Sequence, residues 1–382
     1  LEVRLLKFST GQPHPLAEKP IIFIDEIVPF GTCGIQMEVV GDFLALLITF
    51  TEWNRNHDVF FLVRWKTGLT HRVSISRFLQ IRPPSLILYV QLGSLEQGAY
   101  KHFSYLAQDT LVIPNLIHHT FEVIKIVVDS DQTPYFVLLC VLHLPPLTGS
   151  ASLYHSFCHA APNPTGSGPL VVPSPSDRPF RNKAEDAIVI FNMSYSDFPQ
   201  AGARGGWFSF IVHRRALLAH VPAVHRACAP FCLPPGPAPT VVHVPWSAWG
   251  PPATRLFVGS SLALYWIATT AGQRAVALEN RTPTPIIVRD FNPHSVRVAR
   301  ALAVESGWSR EGNWSKQLPN GNRMTLRVED SVIAGSYIFE EDVRTSLPYV
   351  EIVTRDEYDY EGVMMDDQRI LAFKVRLDSL GR

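Results

Sequence analysis

The sequence predicts an all-β chain, a β-propeller with about five to seven blades and a Pro-rich insertion. Three observations predict it. A hairpin pattern returns along the chain, short apolar runs outnumber everything else, and helical periodicity is scarce. The first hairpin opens at Gly41-Asp42, runs through residues 43–50 (FLALLITF), crosses a polar loop, and returns through residues 58–65 (DVFFLVRW) to Lys66-Thr67-Gly68. The same order recurs at residues 121–128 with 135–142, and at 187–193 with 207–212. Runs of this length, rich in β-branched and aromatic residues and closed by Gly, Asp or Pro, form antiparallel strands.

Taken in order, strands are expected at residues 3–8, 21–24 and 34–40 ahead of the first hairpin. In 34–40 the alternation sets Ile35, Met37 and Val39 on one face and Gln36 and Glu38 on the other. Further strands fall at 71–75, 86–91 and 111–113 before the second hairpin. The texture then changes. Residues 145–184 carry PPLTGS, APNPTGSGP and VPSPSDRP, a composition that predicts a flexible loop inside a single domain spanning 1–382. Residues 214–229 (RRALLAHVPAVHRACA) are the best helical candidate, with Pro222 placed to end or kink it. Strands resume at 240–246, 255–258, 262–268, 274–278 and 285–288. After a polar interval with a turn at LPNGN (318–322), they continue at 324–328, 336–339, 349–353 and 370–375. At about four strands per blade this number of strands makes about five to seven blades.

Composition narrows the function. The chain has 382 residues, 46% hydrophobic and 18% charged, enough to bury a large core. Lys plus Arg and Asp plus Glu number 34 each. This balance gives no long-range pull on phosphate backbones or anionic lipid, so no nucleic acid and no membrane is expected as a partner. Five cysteines without framework spacing fit a reducing compartment, cytoplasmic or nuclear. No stretch reaches the ~20 apolar residues of a spanning helix.

Chemistry-bearing motifs are sparse. There is no G-x-S-x-G, no P-loop and no G-x-G-x-x-G, so no cofactor is expected and the chain reads as a non-enzyme. His220, His225, Cys228 and Cys232, with His155, Cys158 and His159 upstream, could supply zinc ligands. Their spacing is not a paired knuckle, and Pro222 and Pro230 interrupt them, so no metal is expected. The acidic residues of 356–360 and Asp366-Asp367 would serve a propeller glycosidase if two of them faced each other across a pocket; solvated loops are the plainer reading. The remaining candidates are contacts for a protein. Trp53 and Arg55 lie in the polar loop 51–57 of the first hairpin. Trp246, Trp249 and Arg255 form an aromatic block that reads as a docking patch or as a blade corner. In the corner, Trp246 ends a strand, Gly250-Pro251 turns, and Thr254 or Arg255 satisfies buried carbonyls. Trp65 has the position of a ring that closes a strand.

Several of these motifs together resemble the C-terminal propeller-like region of basidiomycete fungal F-box proteins, which is related to WD repeats. The resemblance rests on Gly41-Asp42 with FFLVRWKTG (60–68), VIPN (112–115) with TFEVIKI (120–126), and VPWSAWGPPATR (244–255). It continues in GQR (272–274), DFNPHSVR (290–297), LPYVEI (347–352) and EGV (361–363). Each motif is short; their order carries the resemblance from about Gly34 onward. It implies the substrate-recognition part of an F-box subunit of a cullin-type ubiquitin ligase, with an unidentified protein substrate as partner. The F-box itself, a Leu-Pro start followed by an apolar helix face, has no counterpart in residues 1–20, so ligase subunits become partners only through an F-box upstream. The rival readings are a propeller-scaffold enzyme such as a glycosidase, and a degenerate fragment without preserved function.

Overall fold

The computed structural model describes residues 2–7, 9–24, 33–50, 59–73, 99–130, 134–149, 151–164, 183–197, 205–234, 240–258, 269–278, 283–308, 312–335 and 338–374. Strands dominate. In chain order they are β1 (Glu2–Arg4), β2 (Ile21–Phe23), β3 (Cys33–Val40), β4 (Phe43–Phe50), β5 (Val59–Arg64), β6 (Leu69–Val73), β7 (Ser104–Ala107), β8 (Thr110–Asn115), β9 (Thr120–Val128) and β10 (Pro134–His143). Next come β11 (Ala151–His159), β12 (Ile188–Asp197), β13 (Gly205–His213), helices α1 (Arg214–Leu218) and α2 (Ala223–Arg226), β14 (Val242–Val244), α3 (Trp246–Ala253) and β15 (Thr254–Val258). The chain continues through β16 (Thr270–Ala271), β17 (Arg274–Leu278), β18 (Thr284–Asp290), α4 (Pro293–Glu305), β19 (Trp314–Gln317), β20 (Arg323–Arg327), β21 (Ser331–Ile333) and β22 (Val343–Thr345). It closes with β23 (Tyr349–Tyr358), β24 (Gly362–Met365) and β25 (Ile370–Phe373). None of the described helices is long and apolar enough to cross a membrane.

The chain divides into two compact units. One comprises Leu1–His143, Asn163–Ser174 and Leu218–Val244; the other comprises Leu144–Pro162, Pro175–Leu217 and Pro245–Arg382. In the first unit, β3-β4-β5-β6 form a four-stranded antiparallel meander, and β7-β8-β9-β10 form a second one to which β14 adds in parallel beside β10. Period-2 alternation gives the first meander two apolar faces. Val40, Phe43, Ala45, Leu47, Phe60 and Leu62 meet Phe103, Tyr105, Ile124, Ile126 and Phe136 of the second meander and its lead-in. On the opposite face Leu44, Leu46, Ile48, Phe61 and Val63 are covered by Ile22 and Ile24, with Val3 and Leu5 at the margin.

The second unit holds an antiparallel sheet β11-β12-β13-β15 and a six-stranded sheet β16-β17-β18-β23-β20-β19. Val296, Ala299 and Ala303 of α4 pack on Trp314, Leu326 and Val350. The Asn292 side chain caps α4 by accepting from His294 N, and Pro293 stands in its first turn. Three two-stranded sheets, β1-β2 in the first unit and β21-β22 and β24-β25 in the second, complete the described sheets, none of which closes on itself.

The structure alters several expectations. Ala151–His159 is a strand inside the interval 145–184 that composition marked as loop. Those nine residues lack Gly and Pro and alternate well enough to pair with β12, but averaging over their Pro-rich surroundings conceals them; residues 165–182 lie outside the described set. The helical candidate 214–229 breaks into α1 and α2 around Pro222, where the imide cannot continue the helix. Trp246 opens α3 and does not end a strand, because Ala248 N bonds Pro245 O (3.0 Å) and turns the chain at once. The polar interval 305–323 contains the last residue of α4 and the whole of β19. The strands expected at 86–91 and 262–268 lie outside the described residues.

Candidate functional site

Of the five candidate contacts, Trp53 and Arg55 lie outside the described residues. Trp249 is 1% exposed and Arg255 7% exposed, so both face the interior of the second unit, and Trp246 is half-buried. The Trp249 ring meets Trp246 edge-on at 5.1 Å, and Trp246 packs at 5.5 Å on Phe210 of β13. Thr254 Oγ1 donates to the buried Gly250 carbonyl (2.7 Å), and Arg255 Nη1 donates to Glu329 O (2.5 Å). The Arg255 guanidinium also lies 5.2 Å from the Tyr349 ring centroid. Thr254 and Arg255 thus satisfy carbonyls as the corner reading has it, whereas Gly250 and Pro251 lie inside α3 rather than in a turn.

Gly250 is dictated by the same packing. A Cβ there would stand 2.2 Å from the Trp246 six-membered ring. Gly250→Ala is expected to lower the unfolding free energy by about 1–3 kcal/mol, the range for overpacking a filled core. A urea titration beside wild type measures it.

Trp65 also closes a structural joint. Its indole Nε1–H donates to Gly41 O (2.8 Å), its backbone N–H to Asp42 O (3.1 Å), and Lys66 pairs with Asp42 at 2.6 Å. The Gly41-Asp42 turn and the RWKTG segment, 24 residues apart in the hydrogen-bonded pair, are one feature in space.

The buried carboxylates are each consumed by a neighbour. Glu122 accepts from Tyr100 Oη and Asn115 Nδ2, both at 2.9 Å. Asp109 pairs with Lys125 at 2.8 Å. Glu351 lies between Arg289 (3.3 Å) and Arg327 (2.8 Å), and these two cations hold its carboxyl below the usual range against the upward push of burial. In the acidic C-terminal run, Asp366 caps its own turn by accepting from Gln368 N and Arg369 N, and Asp359 pairs with Lys374. Among the described residues no group of three or more His, Cys, Asp or Glu could hold a metal ion. Burial raises the Cys140 thiol to about 11, which leaves it un-ionised at neutral pH.

What stands out instead is β3. Its apolar face is turned outward: Ile35 is 48% exposed, Met37 56% and Val39 48%. Its polar face is turned in. The Gln36 side-chain amide bonds both backbone groups of Phe103 at 2.6 Å, as a paired strand would, and Glu38 accepts from Asn163 Nδ2 at 2.5 Å. In register, Ile35, Met37 and Val39 stand opposite Ile48, Leu46 and Leu44, so the exposed stripe is the outer margin of a face whose inner strands are buried. Among the described residues β3 pairs only with β4, so it is an edge strand with an apolar face. The alternation is plain in the sequence; its inverted orientation was not, because period-2 patterning does not say which face meets solvent.

No family model, curated protein or solved structure matches this chain.

Proposed function

We propose that this chain is a protein-binding module whose blade-like sheets are set out in the manner of a propeller, and that it takes an extended apolar segment of a protein partner along β3. The observation that carries the reading is the outward stripe Ile35-Met37-Val39 on an edge strand. Solvent-exposed apolar rows on sheet edges are ordinarily blunted by charge, bulges or cover, and where they persist they mark interaction sites. An added strand would satisfy the outer backbone groups of β3 while alternate side chains settle on the stripe. Successive four-stranded meanders, β3–β6 and β7–β10, favour the propeller-like arrangement. On the resemblance drawn from the sequence, this is the substrate-recognition part of an F-box subunit of a cullin-type ubiquitin ligase, cytoplasmic or nuclear, with ubiquitin transfer left to other subunits.

Selection of a displayed random-peptide library on the purified chain tests the binding reading. Selected peptides are expected to alternate apolar residues and to bind Met37→Asp at least about tenfold more weakly, since a charge in the stripe costs about 1.4 kcal/mol or more of affinity. Peptides that bind the wild type and Met37→Asp equally well would contradict it.

A further inference from the structure

We infer that His143 and His243 form a divalent-metal site of the zinc-preferring class, one that clips β14 onto β10. Both imidazoles are exposed and lie on neighbouring parallel strands in register: His243 stands opposite Val141, and His143 follows two residues later on the same face of β10. Nε2 of His143 and Nδ1 of His243 are 3.3 Å apart, with ring centroids at 5.6 Å and planes inclined by 31°. Two nitrogens each about 2.0–2.1 Å from one ion at a tetrahedral angle are themselves about 3.3 Å apart. The pair already has the spacing that two ligands of a single ion need. As neutral imidazoles the two can share only one proton between these nitrogens, whereas an ion accepts a lone pair from both.

The placement gives the site a purpose. β14 has three residues and makes a three-pair ladder, yet it returns to β10 across 100 residues of chain. His143 closes the first segment of the first unit, and Val244, next to His243, closes its last. An ion held by both imidazoles ties together two points at which the chain leaves that unit, so that coordination offsets the entropy of closing the long loop between them. Water completes the coordination at this exposed position. The site is separate from His220, His225, Cys228 and Cys232, which do not converge.

Calorimetric titration of the full chain with Zn²⁺ alone, beside His143→Gln and His243→Gln, tests the inference. His220→Gln serves as a control for the chain's other histidines. Wild type and His220→Gln are expected to bind one ion and to gain thermal stability with it. Either site variant should bind at least about tenfold more weakly, the scale of losing a coordinating or supporting group. Far-ultraviolet circular dichroism in EDTA checks that each variant is folded, and the Co²⁺ absorption spectrum of His143→Gln and His243→Gln gives an independent reading of ligand loss. Absence of binding to the wild type, or equal affinity in wild type and both site variants, would overturn it.

Discussion

Asp109→Ala is expected to destabilise the first unit by about 3–5 kcal/mol, the cost of stranding one member of a buried ion pair. The pair is Lys125 Nζ with Asp109 Oδ2 at 2.8 Å, and their side chains are 4% and 8% exposed. Asp109 does more than neutralise. Its Oδ2 accepts from Phe231 N (2.9 Å) and its Oδ1 from Thr110 Oγ1 (2.9 Å), while Lys125 donates to His225 O (3.2 Å). Phe231 holds a left-handed φ of 63°, unusual for a bulky residue. It is kept there by Asp109, by Val128 N bonding its carbonyl (2.9 Å), and by its ring against Phe43 at 4.8 Å. Losing the carboxylate leaves a buried ammonium, an orphaned N–H and a strained backbone with one restraint fewer. Urea unfolding of Asp109→Ala, Lys125→Met and the double variant measures it. The double variant should recover much of the single loss, because no unpaired charge remains. A double-variant loss equal to the sum of the two single losses would refute the coupling.

A second large effect is expected on acidification. His159 is held down to about 4, first by burial and then by the Arg214 guanidinium. Arg214 is itself fully buried and donates to the carbonyls of Pro162 (2.5 Å), Ala184 (2.7 Å) and Ala160 (3.1 Å). Those three acceptors hold the guanidinium in place, so the imidazole beside it stays neutral. A histidine whose folded value lies below its unfolded one binds fewer protons when folded. Its contribution is therefore complete above the unfolded value of 6.5 and is lost as pH falls from there towards 4. The shift corresponds to about 3 kcal/mol. His213, held down chiefly by burial, acts in the same direction. Chemical denaturation between pH 7 and pH 4.5 should show stability falling with pH, and His159→Gln should flatten the fall. Equal slopes in wild type and variant would remove His159 from the account.

Much of the fold is legible in the sequence where one physical signal acts alone. Residues 43–50 and 274–278 match β4 and β17 residue for residue, because uninterrupted apolar runs bounded by Gly, Asp or Gln leave no competing structure. Pro222 marks the break between α1 and α2 for an equally local reason. Misreadings arise where signals overlap. The strand Ala151–His159 is hidden by prolines on either side of it, and α4 is hidden because Asn292-Pro293 reads equally as a turn until its capping geometry is seen. The candidate site is the least legible part. Trp and Arg in 246–255 carry the signature of a docking patch, but tertiary packing turns Trp249 and Arg255 inward. The β3 stripe is ordinary in sequence and becomes notable only because Gln36 finds the backbone of Phe103, 67 residues away. The His143–His243 pair, 100 residues apart, depends likewise on a parallel strand addition that no local pattern announces.

Amide hydrogen exchange across the first meander of the free protein tests the central claim that the outer edge of β3 is open. Half the amides of Cys33–Val40, those directed away from β4, are expected to exchange within seconds to minutes, while those of Phe43–Phe50 and Val59–Arg64 remain protected at the level of the unit's core. Protection throughout Cys33–Val40 equal to that of Phe43–Phe50 would mean the edge is already covered, and would contradict the account.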